Sequence, residues 1–136
     1  MQITFDCADP DRLAPFWAKA QPGYDIQPPP PGFATWQDFL VANDVPEDRW
    51  NDRSAVVGDG PRLFFQRVPE PKTTKNRVHL DLQAGGTAGG LEEQRAPVRA
   101  EVERLTALGA SLLDELEEMG EVWAVMTDPE GNEFCV

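Results

Sequence analysis

The segment Arg77-Val78-His79-Leu80-Asp81-Leu82-Gln83 alternates in character, with Val78, Leu80 and Leu82 apolar and His79, Asp81 and Gln83 polar. A period of two is that of a strand with one buried and one wet face. The reading predicts a strand over 77–83 whose polar side carries the chain's only histidine. The same parity groups Gln2, Thr4 and Asp6 on a strand over 1–8, opposite Ile3, Phe5 and Cys7. It groups Phe64 with Gln66 on a strand over 62–68, and Glu133 with Cys135 on a strand over 132–136. Four strands therefore offer polar residues to one side. If their apolar sides pack on helices, the polar sides line a hydrated or ligand-filled cavity. The plainer outcome is an open sheet with that face in bulk solvent.

Between these strands the helix signals are local. Asp9-Pro10-Asp11 starts a helix, with Asp9 as N-cap, Pro10 at the first position and Leu13, Phe16, Trp17 and Ala20 as the apolar stripe. Pro15 lies inside it and predicts a short, bent helix. Gly23 ends it, and a short strand at 24–27 precedes the Pro28 to Pro31 run, which lacks amide donors. Thr35, with Asp38 three residues on, reads as the N-cap of a helical insert carrying Trp36, Phe39 and Leu40. Strands at 55–58 and 62–68 flank Gly58-Asp59-Gly60-Pro61, and Pro69-Glu70-Pro71-Lys72 reads as a linker. The order of elements then recurs. A glycine-rich loop follows the 77–83 strand, then a helix from about Pro97 to Leu108 striped by Val98, Val102, Leu105 and Leu108. Gly109 stops that helix, and strands follow at 112–113, 122–127 and 132–136. The recurrence predicts two pseudo-symmetric halves.

At 136 residues and 15.1 kDa, the chain suits one domain or two half-sized modules. It carries 24 Asp and Glu against 12 Lys and Arg, a formal net charge of −12. Such a chain repels phosphate backbones and anionic lipid, so neither nucleic acid nor a membrane is expected as partner. Cys7 and Cys135 are too few for a disulfide scaffold and are read as reduced thiols. The N-terminal residues lack a basic and an apolar region, and no run of about 18 apolar residues occurs, which makes the cytoplasm the expected compartment. No phosphate loop, nucleophile elbow or zinc-type cysteine spacing is present.

Four stretches taken together carry a family resemblance: Phe5 to Pro10 with Phe16-Trp17, Arg62 to Pro69, Asn76 to Leu82, and Thr127 to Val136. The set resembles the glyoxalase/bleomycin-resistance/extradiol-dioxygenase group, the vicinal oxygen chelate superfamily, over almost the whole chain. Its strongest element is Asp128-Pro129-Glu130-Gly131-Asn132 leading into the last strand, about fifty residues after the strand with His79. The insert around Gly32-Phe33-Ala34-Thr35-Trp36 is similar to that of one branch of the group. The resemblance implies an α+β fold: two tandem βαβββ modules, about 1–70 and 75–136 of a single domain 1–136, forming a curved, mostly antiparallel sheet around a cavity, with helices on the outer face. It also implies a homodimer.

Metal-dependent members of the group hold a divalent ion with His, Gln or Glu from the first and last strand of each module. Matched by motif, those positions here are Gln2, Gln66, His79 and Cys135. Gln66 and Cys135 stand where a carboxylate would bind the ion and move a proton. A neutral amide is a poor ligand for a hard cation and is no general base, so no metal is expected and ordinary glyoxalase chemistry is not. A thiolate at Cys135 would still suit a soft ion, and a register shift would bring Glu133 into play.

The site expected for a small-molecule ligand is thus His79, Gln66, Gln2, Asp81, Glu133, Cys135 and Trp36, with catalytic residues unassigned. Each has a plainer reading. A lone strand histidine is commonly structural, Asp81 either orients the imidazole or faces water, and Cys135 is ordinarily a small hydrophobe. Trp36 and Phe33 form either a lid or core, Trp17 and Trp123 are expected in the core, and Trp50 has no assignment. Three function classes follow. One is a binding protein that sequesters an apolar or aromatic small molecule, as bleomycin-resistance proteins do, without metal. Another is a metal-dependent lyase, isomerase or dioxygenase. The third is an interaction module with a vestigial cavity.

Overall fold

The computed structural model describes residues 1–84 and 89–136. The glycine-rich loop expected after Gln83 falls partly on residues 85–88, outside the described residues. The chain divides into two compact units, Met1–Pro71 and Lys72–Val136.

The first unit opens with β1 (Gln2–Cys7) and α1 (Pro10–Ala20), continues through β2 (Asp25–Ile26), α2 (Trp36–Ala42) and a 3-10 turn (Glu47–Asp52), and closes with β3 (Arg53–Val57) and β4 (Arg62–Arg67). The sheet order is β1-β4-β3-β2, with β1 parallel to β4 and the other pairs antiparallel. Asp9 caps α1 by accepting from the Arg12 amide, and Asn51 bonds both Asp9 and the Asp11 amide, which ties the 3-10 turn to the helix start. The helix runs without a break through Pro15. Its stripe is fully buried: Leu13, Ala14, Phe16, Trp17 and Ala20 lie against Cys7, Val56, Leu63 and Phe65 of the sheet. The Phe5 ring sits 5.2 Å from Trp17 and 5.3 Å from Phe65, so one aromatic stack joins helix to sheet.

Two local details fix the rest of this unit. Tyr24 lies across the β3–β4 turn and donates its hydroxyl to the Pro61 carbonyl at 2.9 Å. A Cβ on Gly58 would stand 2.5 Å from the Tyr24 ring, so glycine is required there by close approach. Thr35 and Asp38 form a reciprocal capping box at the start of α2, yet no residue of that helix is buried.

In the second unit α3 (Leu91–Ala107) is followed by β5 (Ser111–Glu118), β6 (Glu121–Thr127) and β7 (Glu133–Cys135), in the order β5-β6-β7 and antiparallel throughout. Residues 77–83 do not form the expected strand. They contribute a single parallel bridge, Asp81 to Cys135, with the Leu82 amide donating to Cys135 O and the Cys135 amide to Leu80 O. Val78 is 76% exposed, so the apolar face of this segment is only Leu80 and Leu82, both half-buried. The bridge nevertheless repeats the β1–β4 pairing, and the unit has the same order as the first: initial segment, last strand, middle strand, edge. The α+β architecture of paired βαβββ units is thus present, with the opening strand of the second reduced to a bridge.

The second helix starts six residues before the expected Pro97. Glu93 reaches back to accept from the Gly90 amide at 3.0 Å, and Pro97 is accommodated inside the helix. The start was obscured because Gly90 supplies no capping side chain and a proline normally marks a first turn. Val98, Val102 and Leu105 of α3 pack with Ala124, Met126, Phe134 and Val136 as the core of this unit. Gln94, also buried, donates to the Gly120 carbonyl and accepts from the Val122 amide, which fixes α3 to the β5–β6 turn. The edge strand β5 is exposed along all eight residues, far longer than the expected 112–113, and bulges between Leu112 and Asp114. Trp123 is not in the core: Ala124 and Met126 take the buried parity, leaving Trp123 half-buried on the face shared with Val125 and Thr127. No described helix is long and apolar enough to cross a membrane.

Candidate functional site

The polar face of the second unit is built on the Asp81–Cys135 bridge. Asp81 Oδ1 lies 2.9 Å from His79 Nδ1, with the two side chains 67% and 41% exposed. A carboxylate only accepts, so Nδ1 carries the proton of the neutral ring and Nε2 is the nitrogen left for a ligand. Cys135 Sγ is 3.9 Å from the same Nδ1. Burial first, then the charge of Asp81 and a hydrogen bond to it, push the Cys135 thiol above its ordinary range. It therefore stays protonated at neutral pH and is no ready nucleophile. The ligand atoms of His79, Asp81 and Cys135 all lie within 4.8 Å of one another. Val125 pairs with Cys135, so Trp123, two residues along β6, shares this face. Strand parity from Ala124 and Met126 was the signal for Trp123.

Glu133 has a different task. Its Oε2 accepts from the Asn76 amide and from Lys72 Nζ, each at 3.0 Å. These bonds, the backbone one foremost, hold its carboxyl down at about 2. The residue fastens the chain at 72–76 to β7 and already has its partners. The preceding turn is equally specified. Buried Asp128 accepts from the Glu130 amide, the Asn132 amide and the Asn132 side chain at 2.8–2.9 Å, while Gly131 takes a φ of +86°. The Asp128-Pro129-Glu130-Gly131-Asn132 motif is thus a turn that delivers Cys135 to the Asp81 bridge.

In the first unit Gln2 pairs with Arg62 and Gln66 with Asp6. The two glutamines are therefore four residues apart along a parallel pair, roughly 13 Å at strand rise. They do not share one ion, which corrects their expected grouping as ligands from the same module. The relevant offset is set by register, which residue type does not reveal. Gln2 Oε1 instead accepts from Arg62 Nη1, and Gln66 donates to Asp6 at 3.4 Å. Gln66 also lines an open groove of about 400 Å³ with Asp52, Arg53, Arg67, Val68 and Pro69. Trp36 is 37% exposed, donates its indole N–H to the Gln27 carbonyl at 2.8 Å and meets Phe39 edge-on. Phe33 meets Phe39 likewise, and Trp50 donates to the Val45 carbonyl.

The family profile described as a glyoxalase-like domain matches residues 2–136. No curated protein matches the chain. Among solved structures, a glyoxalase/bleomycin resistance protein/dioxygenase family enzyme from Burkholderia phytofirmans is 14% identical with a TM-score of 0.62, covering 98% of this chain and 93% of that one. The fosfomycin resistance protein FosX from Listeria monocytogenes, solved with Mn(II) and a dihydroxypropylphosphonic acid, is 12% identical with a TM-score of 0.62, covering 98% and 86%. A lactoylglutathione lyase from Agrobacterium tumefaciens is 14% identical with a TM-score of 0.55, covering 100% and 90%. At such identities the likeness is one of fold, and the profile match supplies the rest: the chain belongs to the glyoxalase-like domain family of the vicinal oxygen chelate superfamily.

Proposed function

We propose that the chain binds a small organic molecule against the polar face of the sheet in its second unit, with His79 as the principal polar contact, in the manner of bleomycin-resistance-type sequestration. The observation that carries this reading is the His79–Asp81 pair at 2.9 Å, which fixes the ring and leaves Nε2 for a ligand on an exposed face beside Cys135. Nothing in this reading requires a metal. The same reading expects a cytoplasmic homodimer, which sedimentation velocity tests for assembly. A thermal-shift screen of small aromatic and polar organic compounds is the functional test. Compounds that stabilise the chain should lose that effect in His79→Ala, and an unchanged shift refutes the role of His79.

A second reading, a metal-dependent lyase, isomerase or dioxygenase, is favoured by one observation: three donors of different kinds within 4.8 Å. The set fits the divalent ion associated with the superfamily. Imidazole nitrogen, carboxylate oxygen and sulfur suit a borderline-soft ion such as zinc, not magnesium or calcium. Asp81 supplies the carboxylate that the motif positions lack. Loading would have to release the Cys135 proton, so uptake should strengthen as pH rises. Metal analysis of protein purified without chelator decides it: stoichiometric zinc lost in Cys135→Ser supports this reading, and its absence after zinc dialysis refutes it.

A further inference from the structure

We infer that the polar face of the first unit is an anion-recognition site centred on Arg62, specific for a small organic carboxylate or a similar oxyanion. The inference extends the small-molecule reading above to a second set of residues. Arg62 opens β4, and its guanidinium stands over the Phe64 ring with Cζ 4.9 Å from the centroid. Nε donates to Gln27 Oε1 at 2.6 Å and Nη1 donates to Gln2 Oε1. Phe64 thus backs one side of the plane and two amides hold its edges, while the group is half-buried. Of five N–H donors, two are used by these bonds, and the rest meet no acceptor among the described residues.

Its guanidinium is held in place, and every partner is neutral. Acids outnumber bases two to one in this chain. Among the described residues Arg49, Arg95, Arg99 and Arg104 find carboxylates, while Arg12, Arg53, Arg62, Arg67 and Arg77 form no ion pair. Of these five, Arg62 is the one held by two side-chain amides, although carboxylates share its face. Asp6 lies four residues further along β1, tied to Gln66. Asp25 pairs with Val57 on β2, two strands away and roughly 10 Å by strand spacing. Amide oxygens orient a guanidinium without cancelling its charge, so the fork is held ready for a planar oxyanion. The insert is tied into the same arrangement, because Trp36 donates to the carbonyl of Gln27, whose side chain holds Arg62. The net charge of −12 opposes an anion at long range, but at 0.15 M salt that field is screened within about 8 Å, while the contact is not.

Titration of the ¹⁵N-labelled full chain with benzoate, and in parallel with benzamide, tests the inference. Benzoate is expected to move the amides of Gln2, Gln27, Arg62 and Phe64 saturably and to bind about tenfold or more tightly than benzamide, the worth of one charge-assisted bond. Arg62→Gln should erase that preference, while Arg99→Gln, remote in sequence and paired with Glu115, should retain it. Equal binding of the two probes, shifts confined elsewhere, or a preference surviving in Arg62→Gln would overturn it. A compound that stabilises the chain through His79 while benzoate leaves the first unit unmoved would sink this inference alone.

Discussion

Removing the Asp128 carboxylate should be among the most damaging single changes outside the two cores. Bonds from the Glu130 amide, the Asn132 amide and the Asn132 side chain end on it, and both Asp128 and Asn132 are buried. Asp128→Ala leaves the two Asn132 donors without an acceptor in a site closed to water, whereas the half-buried Glu130 amide can recover solvent. At roughly 1–3 kcal/mol for each of the two orphaned buried donors, the loss is about 2–6 kcal/mol. At about 3–4 °C per kcal/mol for a chain of this size, that is about 6–24 °C in melting temperature. The damage should be directional, because this turn feeds β7 and β7 carries the bridge to Asp81. Urea denaturation followed by circular dichroism gives the total, and hydrogen exchange at the Leu82 and Cys135 amides reports the bridge. Asp128→Asn keeps one acceptor oxygen and should lose about half as much. A loss below 1 kcal/mol in Asp128→Ala, or unchanged protection at Leu82, would show that the turn is not what positions Cys135.

Two further outcomes follow from close contacts. The Glu133 carboxyl is depressed to about 2 from 4.5, so it stabilises the fold fully above the unfolded value and loses that contribution as pH falls from about 4.5 toward 2. The stability gap between wild type and Glu133→Gln should therefore close across that window, and a gap independent of pH would contradict the assignment. Gly58→Ala should cost about 1–3 kcal/mol by overpacking, since its Cβ meets the Tyr24 ring at 2.5 Å and the Gly23 carbonyl at 2.6 Å. Thermal unfolding of Tyr24→Leu beside Tyr24→Leu/Gly58→Ala separates the ring contact from the backbone one, and no further loss on adding Gly58→Ala would assign the cost to the ring.

What the sequence made legible was whatever one residue type decides locally. Asp9-Pro10, Thr35 with Asp38, Gly109 and the alternation of β1 and β4 all have short-range causes, and each appears where its chemistry predicts. The repeat was legible because it is a repeat of order. The misses arise where a contact distant in sequence decides. Residues 77–83 alternate like a strand, but only Asp81 finds a ladder partner, because pairing depends on how far β7 reaches. Pro97 masked a helix start that Glu93 makes from its side chain. Gln2 and Gln66 match ligand positions by motif, yet register separates them, and Arg62, assigned no site role by its motif, takes the oxygen of Gln2. Asp81 gained weight for the same reason: parity placed it beside His79, but only the bridge shows it next to Cys135.

The shared register of Asp6–Gln66 and Asp81–Cys135 gives a protein engineer a ready template. Counting back two residues from each aspartate, Thr4 occupies in one half the station that His79 occupies in the other. Grafting Thr4→His and Gln66→Cys onto the existing Asp6 would copy the imidazole, carboxylate and thiol group into the first half with two codon changes, turning a repeat of order into a bivalent scaffold.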